Sequence, residues 1–259
     1  MNDLLLSTAG SLLATLIGFV LGYTCRSYRR SRDQATFERF YRPLIQSPKI
    51  VDIVLTTRNT PVTTINKNEF LHADLNEVRA YARLSTMFKE SGVATHVSSS
   101  GTHVNLFSRG HLVTLGSPSV NRVTRLALES LKGHFPEIQM ELQDEAKDIH
   151  ESTFTIDGDN YSAIVNEEGQ VVRDQCIVIR ASNPFSPKHA MRIGFGIHSK
   201  GTLATVSSAV NAAIDRELQH RKVTGNMLVI LDVEFEGNQI KTVKVKNVMP
   251  QNYPSNHSQ

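Results

Sequence analysis

The sequence is short of the features that usually announce a chemistry. It has two cysteines in 259 residues, Cys25 closing an apolar run and Cys176 inside a strand-like segment. That spacing excludes a disulfide framework and points to a reducing compartment. Two distant thiols do not make a zinc site, and none of the ten histidines forms an H-x-x-x-H pair. No metal and no cofactor is therefore expected. The formal net charge is only +3, and Arg26, Arg29, Arg30 and Arg32 lie in one run. The remainder is close to neutral, so a nucleic-acid polymer is not an expected partner. Neither the P-loop pattern nor G-x-G-x-x-G occurs, and no internal repeat is visible. What is present is ordinary globular composition, 40% hydrophobic and 20% charged, enough for one medium domain.

One long uncharged run stands out, Leu4 to Cys25 (LLLSTAGSLLATLIGFVLGYTC). As a helix it reaches roughly 33 Å, enough to span a hydrocarbon core of about 30 Å. A cleaved signal peptide needs a basic start, and here Met1, Asn2 and Asp3 precede the run while the arginines follow it. The expectation is a single-pass anchor in the inner membrane, lipid bilayer around it, N-terminus outside and the remainder cytoplasmic. Gly10, Ala14, Gly18 and Gly22 recur every four residues, a ridge of small side chains that lets membrane helices approach closely. A homo-oligomer is the implied arrangement.

The expected organisation is an anchor over 1–26, a juxtamembrane linker or short helix over 27–48 stopped by Pro43 and Pro48, a domain over 49–249, and a disordered polar tail over 250–259. Within the domain, Lys49 to Leu55 and His111 to Leu115 read as buried strands, and Asp74 to Ser91 and Ser119 to Leu131 as helices. Met191 to Ile197 reads as another buried strand, followed by a long helix from about Leu203 to Arg221. Segments around Thr153–Val165 and Gln175–Arg180 alternate and are broken by Asp157-Gly158-Asp159-Asn160 and Glu167-Glu168-Gly169, as antiparallel hairpins are. The fold class predicted is α/β: a Rossmann-like, mostly parallel sheet with an antiparallel β extension, preceded by a transmembrane helix.

Three polar loops follow three of these strands. They contribute Thr56, Thr57, Arg58 and Asn59; Gly116, Ser117, Ser119 and Asn121; and His198, Ser199, Lys200, Gly201 and Thr202. In an open α/β sheet such loops converge at the carboxyl edge, where helix N-termini, hydroxyls and a nearby Arg or Lys suit an anion. A small phosphate-bearing, nucleotide-type ligand is the partner this suggests. Ser117 or Ser119 could equally be a plain helix N-cap.

The GSPSVN loop, the Asn183-Pro184-Phe185 turn and the strand with its loop GFGIHSKGT together resemble a sparsely characterised bacterial domain carrying G-x-P-x-x-N, N-P-F and G-I-H-x-x-G-T motifs. The resemblance spans most of residues 49 to 248 and implies a Rossmann-like fold without naming a reaction. The chain is also distantly similar to CARF domains, which sense cyclic oligonucleotides. There, loops corresponding to Thr56–Thr60 and Lys200–Thr202 would face the ligand, whereas the GSPSVN loop and the antiparallel middle have no counterpart.

Catalysis is the weaker reading. The loops carry no carboxylate, Asp74, Glu77 and Asp174 have no assigned partner, and Ser99 and Ser100 with His96 or His103 lack the G-x-S-x-G elbow. The function expected is thus a membrane-tethered sensor or effector, with a tethered enzyme acting on a nucleotide or nucleoside, or a non-catalytic scaffold, as the alternatives.

Overall fold

The computed structural model describes residues 2–46, 50–56, 58–59, 71–72, 74–99, 110–133, 135, 153–156, 158–184 and 186–250, with side chains left aside at 2–14, 58–59 and 71–72. The expected polar tail after Pro250 lies outside them.

The chain opens with α1 (Asn2–Phe40), a single helix of 39 residues, about 58 Å long at the standard rise. The separate juxtamembrane helix expected over 27–48 is therefore the C-terminal end of α1, followed after Tyr41 by the single turn α2 (Arg42–Ile45). Proline explains the break, because Pro43 cannot donate the hydrogen bond that α1 would need to continue. Nor is this stretch a linker. Phe37 and Tyr41 stack at 4.2 Å, Phe88 meets both edge-on, and all three are fully buried. Among the described residues no helix is long and apolar enough to cross a membrane. Leu16, Ile17, Phe19, Val20 and Leu21 on α1 are nevertheless at least half exposed.

An eight-stranded sheet forms the centre. Its parallel half comprises β1 (Ile50–Leu55), β4 (Ala94–Ser99), β5 (His111–Leu115) and β10 (Ser186–Gly196), in the order β4-β1-β5-β10. Its antiparallel half continues through β9 (Val171–Asn183), β11 (Met227–Glu236) and β12 (Gln239–Pro250), and β8 (Ile164–Val165) also pairs with β9. The mixed α/β expectation is met, with the antiparallel part as large as the parallel one. Two small hairpins, β2 (Arg58–Asn59) with β3 (Leu71–His72) and β6 (Thr153–Ile156) with β7 (Asp159–Ser162), lie off the main sheet.

Helices cover both faces, as buried parallel strands require. On one face α3 (Leu75–Glu90) brings Ala80, Leu84 and Phe88 against Val51, Ile53 and Val178, together with Phe37 and Phe40 of α1. The predicted long helix after β10 is instead two, α5 (Ser199–Ala204) and α6 (Ser208–Arg221), because the Ser207 hydroxyl accepts from Val210 N and starts a new helix. Val210, Ile214 and Leu218 of α6 join the same core. On the other face α4 (Arg122–Leu131) places Val123, Ala127, Leu128 and Leu131 against Ile177, Ile193 and Phe195. This order, with the first parallel strand inside and the crossovers diverging from it, puts the topological switch point between β1 and β5.

Candidate functional site

The switch point is built around a carboxylate. Glu77, in the first turn of α3 and buried, accepts from Thr56 N at 2.8 Å and from Thr56 Oγ1 at 2.9 Å. Gly116, at the end of β5, closes over the pair with φ +103°. A Cβ on Gly116 would stand 2.5 Å from Glu77 Oε1 and would also strike Thr56 Oγ1. Thr56 and Gly116 are thus brought together as the sequence suggests, but the ring they form is already filled by this protein's own acid.

The second loop is closed in a different way. Asn121, fully buried, accepts from Val123 N and Thr124 N at 3.0 and 3.1 Å and donates Nδ2 to Leu115 O at 2.7 Å. The N-cap of α4 is therefore Asn121, not Ser117 or Ser119, whose hydroxyls share a 2.8 Å hydrogen bond with each other. Arg125 donates to the carbonyls of Pro118 and Ser119 and holds the loop from behind.

The third loop repeats the device of the first. Asp174, on β9 and fully buried, accepts from Ile197 N, His198 N and Gly201 N at 3.1, 3.1 and 3.0 Å. Burial pushes its carboxyl up to about 7, against the backbone N–H bonds that favour the charged form. Gly196 lets α5 sit directly on β10, since a Cβ there would come within 2.6 Å of Gly201 Cα. The Thr202 hydroxyl, also buried, accepts from Gly196 N at 3.2 Å.

What remains open at this edge is a cleft of about 510 Å³ between α3, α5 and the turn that joins β11 to β12. His198, Ser199 and Lys200 line it together with Asn76, Gln170 and Asn238, and no carboxylate does. Asn76 donates to Ser199 Oγ at 3.0 Å, which ties the first helical turns of α3 and α5. Lys200 Nζ donates to Val171 O at 2.8 Å and lies 4.6 Å from the centre of the Phe235 ring. Desolvation lowers its pKa from the ordinary value.

The remaining expected residues are less informative. Thr57 lies outside the described residues, and Arg58 and Asn59 are described only as backbone of β2. Gly10 and Ala14 fall on α1 where side chains are not described, and a Cβ on Gly18 or Gly22 would meet nothing within 4 Å. His96 does have an acid beside it, Asp52 at 3.0 Å, and Ser98 at 3.4 Å. Both contact the same ring nitrogen, Nδ1, whereas a base that relays a proton needs serine and acid on opposite nitrogens. Ser100 and His103 lie outside the described residues. Among the described residues no group of three or more His, Cys, Asp or Glu could hold a metal ion.

Sequence reasoning underrated Glu77 and Asp174. Glu77 stands three residues after the N-cap Asp74, where an acid ordinarily reads as half of a capping box. Asp174 shares its strand face with Cys176 and Val178, both core residues, and an acid on the core face of a strand was the available signal. No family model, no curated protein and no solved structure matches this chain.

Proposed function

We propose that this chain is a non-catalytic sensor or effector, tethered in the inner membrane by α1, whose cytoplasmic domain takes up a small phosphate-bearing ligand of nucleotide type. The observation that carries this reading is the continuity of α1. One helix runs from the apolar segment into the core, ending in Phe37 and Phe40, so a shift of the domain has no hinge in which to dissipate. The exposed apolar residues of its first half suit lipid better than water. Self-association through Gly10, Ala14, Gly18 and Gly22 would then make the helix a reporter of the domain's state. We assign the ligand to the cleft at His198, Ser199 and Lys200, whose described lining holds a cation and no carboxylate. A ligand can drive such a system only by binding one arrangement better than the other.

A second reading, a non-catalytic scaffold, is favoured by the way Glu77, Asn121 and Asp174 satisfy the three loops without help. The two part on one measurement. The full chain in detergent is melted with and without a panel of nucleoside mono-, di- and triphosphates and cyclic nucleotides. A ligand at 100 times its Kd adds about 2.7 kcal/mol of stability, which is expected for at least one compound and is lost in Lys200→Ala. If no compound moves the melting curve, the scaffold stands.

A further inference from the structure

A second cleft lies at the opposite end of the sheet, and its charge is one-sided. It measures about 660 Å³ and is entered between the end of α1, the start of β10 and the end of α6. Five of its lining residues are Arg or Lys: Arg39, Arg42, Arg180, Lys188 and Lys222. The single lining acid, Asp215, is already bonded to Arg39 at 2.7 Å. These cations come from four separate stretches of the chain, with Arg39 and Arg42 close together in one of them, so their convergence belongs to the tertiary fold and not to a charged run of sequence. Arg180 is held in place by two bonds, Nε and Nη2, to Gly225 O at 2.9 and 2.6 Å.

A second observation points to a ligand. His111 lines the same cleft, is 2% exposed, and accepts at Nδ1 from Ala190 N at 3.0 Å. With Nδ1 an acceptor, the neutral ring must carry its hydrogen on Nε2. That buried nitrogen has no hydrogen-bond partner among the described residues. Burial, with His189 beside it at 4.9 Å between ring centres, pushes His111 down to about 4, so the ring is a neutral donor at physiological pH. A buried donor without an acceptor is destabilising unless something supplies one. The half-buried His189 ring packs edge-on against His111 and lines the cleft beside it.

We infer that this cleft is a binding site for a compact, multiply charged phosphate ester or diphosphate, held by Arg42, Arg180, Lys188 and Lys222 with His111 Nε2 donating to one of its oxygens. Several cations spread around one concavity match an anion with charge on more than one group, and bonds between charged partners are the strong ones. The volume falls in the usual range for small-molecule sites. Arg39 belongs to α1 and Arg42 to α2, so occupancy would bridge the end of the long helix to the sheet and to α6. The inference does not depend on the cleft at Lys200, nor on α1 lying in a membrane.

The test is titration calorimetry of pyrophosphate into the full chain in detergent at low salt. Saturable binding is expected, about tenfold weaker or worse in the double variant Arg42→Glu, Lys188→Glu. Both side chains are exposed, and an unchanged melting curve certifies the fold. The Nε2–H resonance of His111 should move on saturation. If binding appears only with nanodiscs containing phosphatidic acid and vanishes in the double variant, the site stands with a lipid headgroup as the source of the phosphate. Absence of binding in both settings, or binding indifferent to the double variant, would overturn the assignment.

Discussion

The guanidinium of Arg192 lies 4.2 Å from the centre of the Tyr41 ring, and 4.8 Å from that of Phe40. Arg192 is on β10 and is 2% exposed, without a carboxylate in contact among the described residues. Its Nη2 donates to Thr205 O at 2.7 Å, while Nε and Nη1 have no hydrogen-bond partner among the described residues. Desolvation lowers its pKa to about 9. The end of α1 is therefore seated on a buried cation, an arrangement in which attraction to the rings and the cost of dehydration oppose each other.

Because dehydration opposes the ring contacts, Arg192→Met, which keeps the volume and removes the charge, is expected to leave the chain at least as stable in a urea titration. Tyr41→Ala removes the ring, its stacking on Phe37 and the packing on Phe88, and is expected to cost about 3 kcal/mol or more. A large loss in Arg192→Met would show that the cation itself, and not the aromatic cluster, holds α1 down.

Asp174 sets a pH dependence. Its carboxyl moves from 3.8 to about 7 through burial, so the folded chain holds this proton more tightly than the unfolded one. The contribution to stability is complete below 3.8 and is lost as pH rises through about 7. His111, lowered from 6.5 to about 4, acts in the opposite sense, destabilising the fold as pH falls through the same window. The informative quantity is the difference between proteins. Asp174→Asn is expected to be less stable throughout, by about 1–3 kcal/mol for the backbone donors left unpaired. The gap should narrow as pH rises from 4 to 7, and a constant gap in urea midpoints would refute the shift.

Much of this architecture was legible. The buried strand patterns at Lys49–Leu55, His111–Leu115 and Met191–Ile197 place three polar loops on one edge; the first two meet at Thr56 and Gly116, and Ser199 of the third is tied to α3 through Asn76. Element boundaries failed where a single side chain decides them: Ser207 divides one apolar-periodic stretch into α5 and α6, and Asn121 shortens α4. The occupants of the loops were harder to see. Glu77 reaches Thr56 across 21 residues of sequence and Asp174 reaches Gly201 across 27, and no local pattern records such a contact. The cationic cleft was invisible for the same reason, since its five basic residues come from Arg39 to Lys222 and no two of them form a charged run.

Gly116 is the position where backbone and packing coincide. Its φ of +103° disfavours any side chain, and a Cβ would meet Glu77 Oε1 at 2.5 Å. Gly116→Ala is expected to destabilise by about 3 kcal/mol, the backbone strain and the overpacking adding. Pairing it with Glu77→Ala separates the two, because the shorter side chain relieves the overpacking against Glu77 and leaves the backbone strain. If Gly116→Ala costs under about 1 kcal/mol, the ring of Thr56, Glu77 and Gly116 is looser than its geometry implies.

The small-residue ridge on α1 gives the cleanest test of assembly. Within one protomer a side chain at Gly18 or Gly22 would touch nothing within 4 Å, so Gly18→Ile should leave the domain's melting curve unchanged. Between helices the same change would force the backbones apart and remove the close approach on which membrane-helix association depends. Sedimentation in detergent is expected to show a larger assembly for wild type and a smaller one for Gly18→Ile, with Gly18→Ala retaining association. Substitution on the far side of the helix, as in Leu16→Val, should have no effect. Equal sizes for all four proteins would mean that α1 does not assemble through this ridge, and the helix would then act as a tether alone.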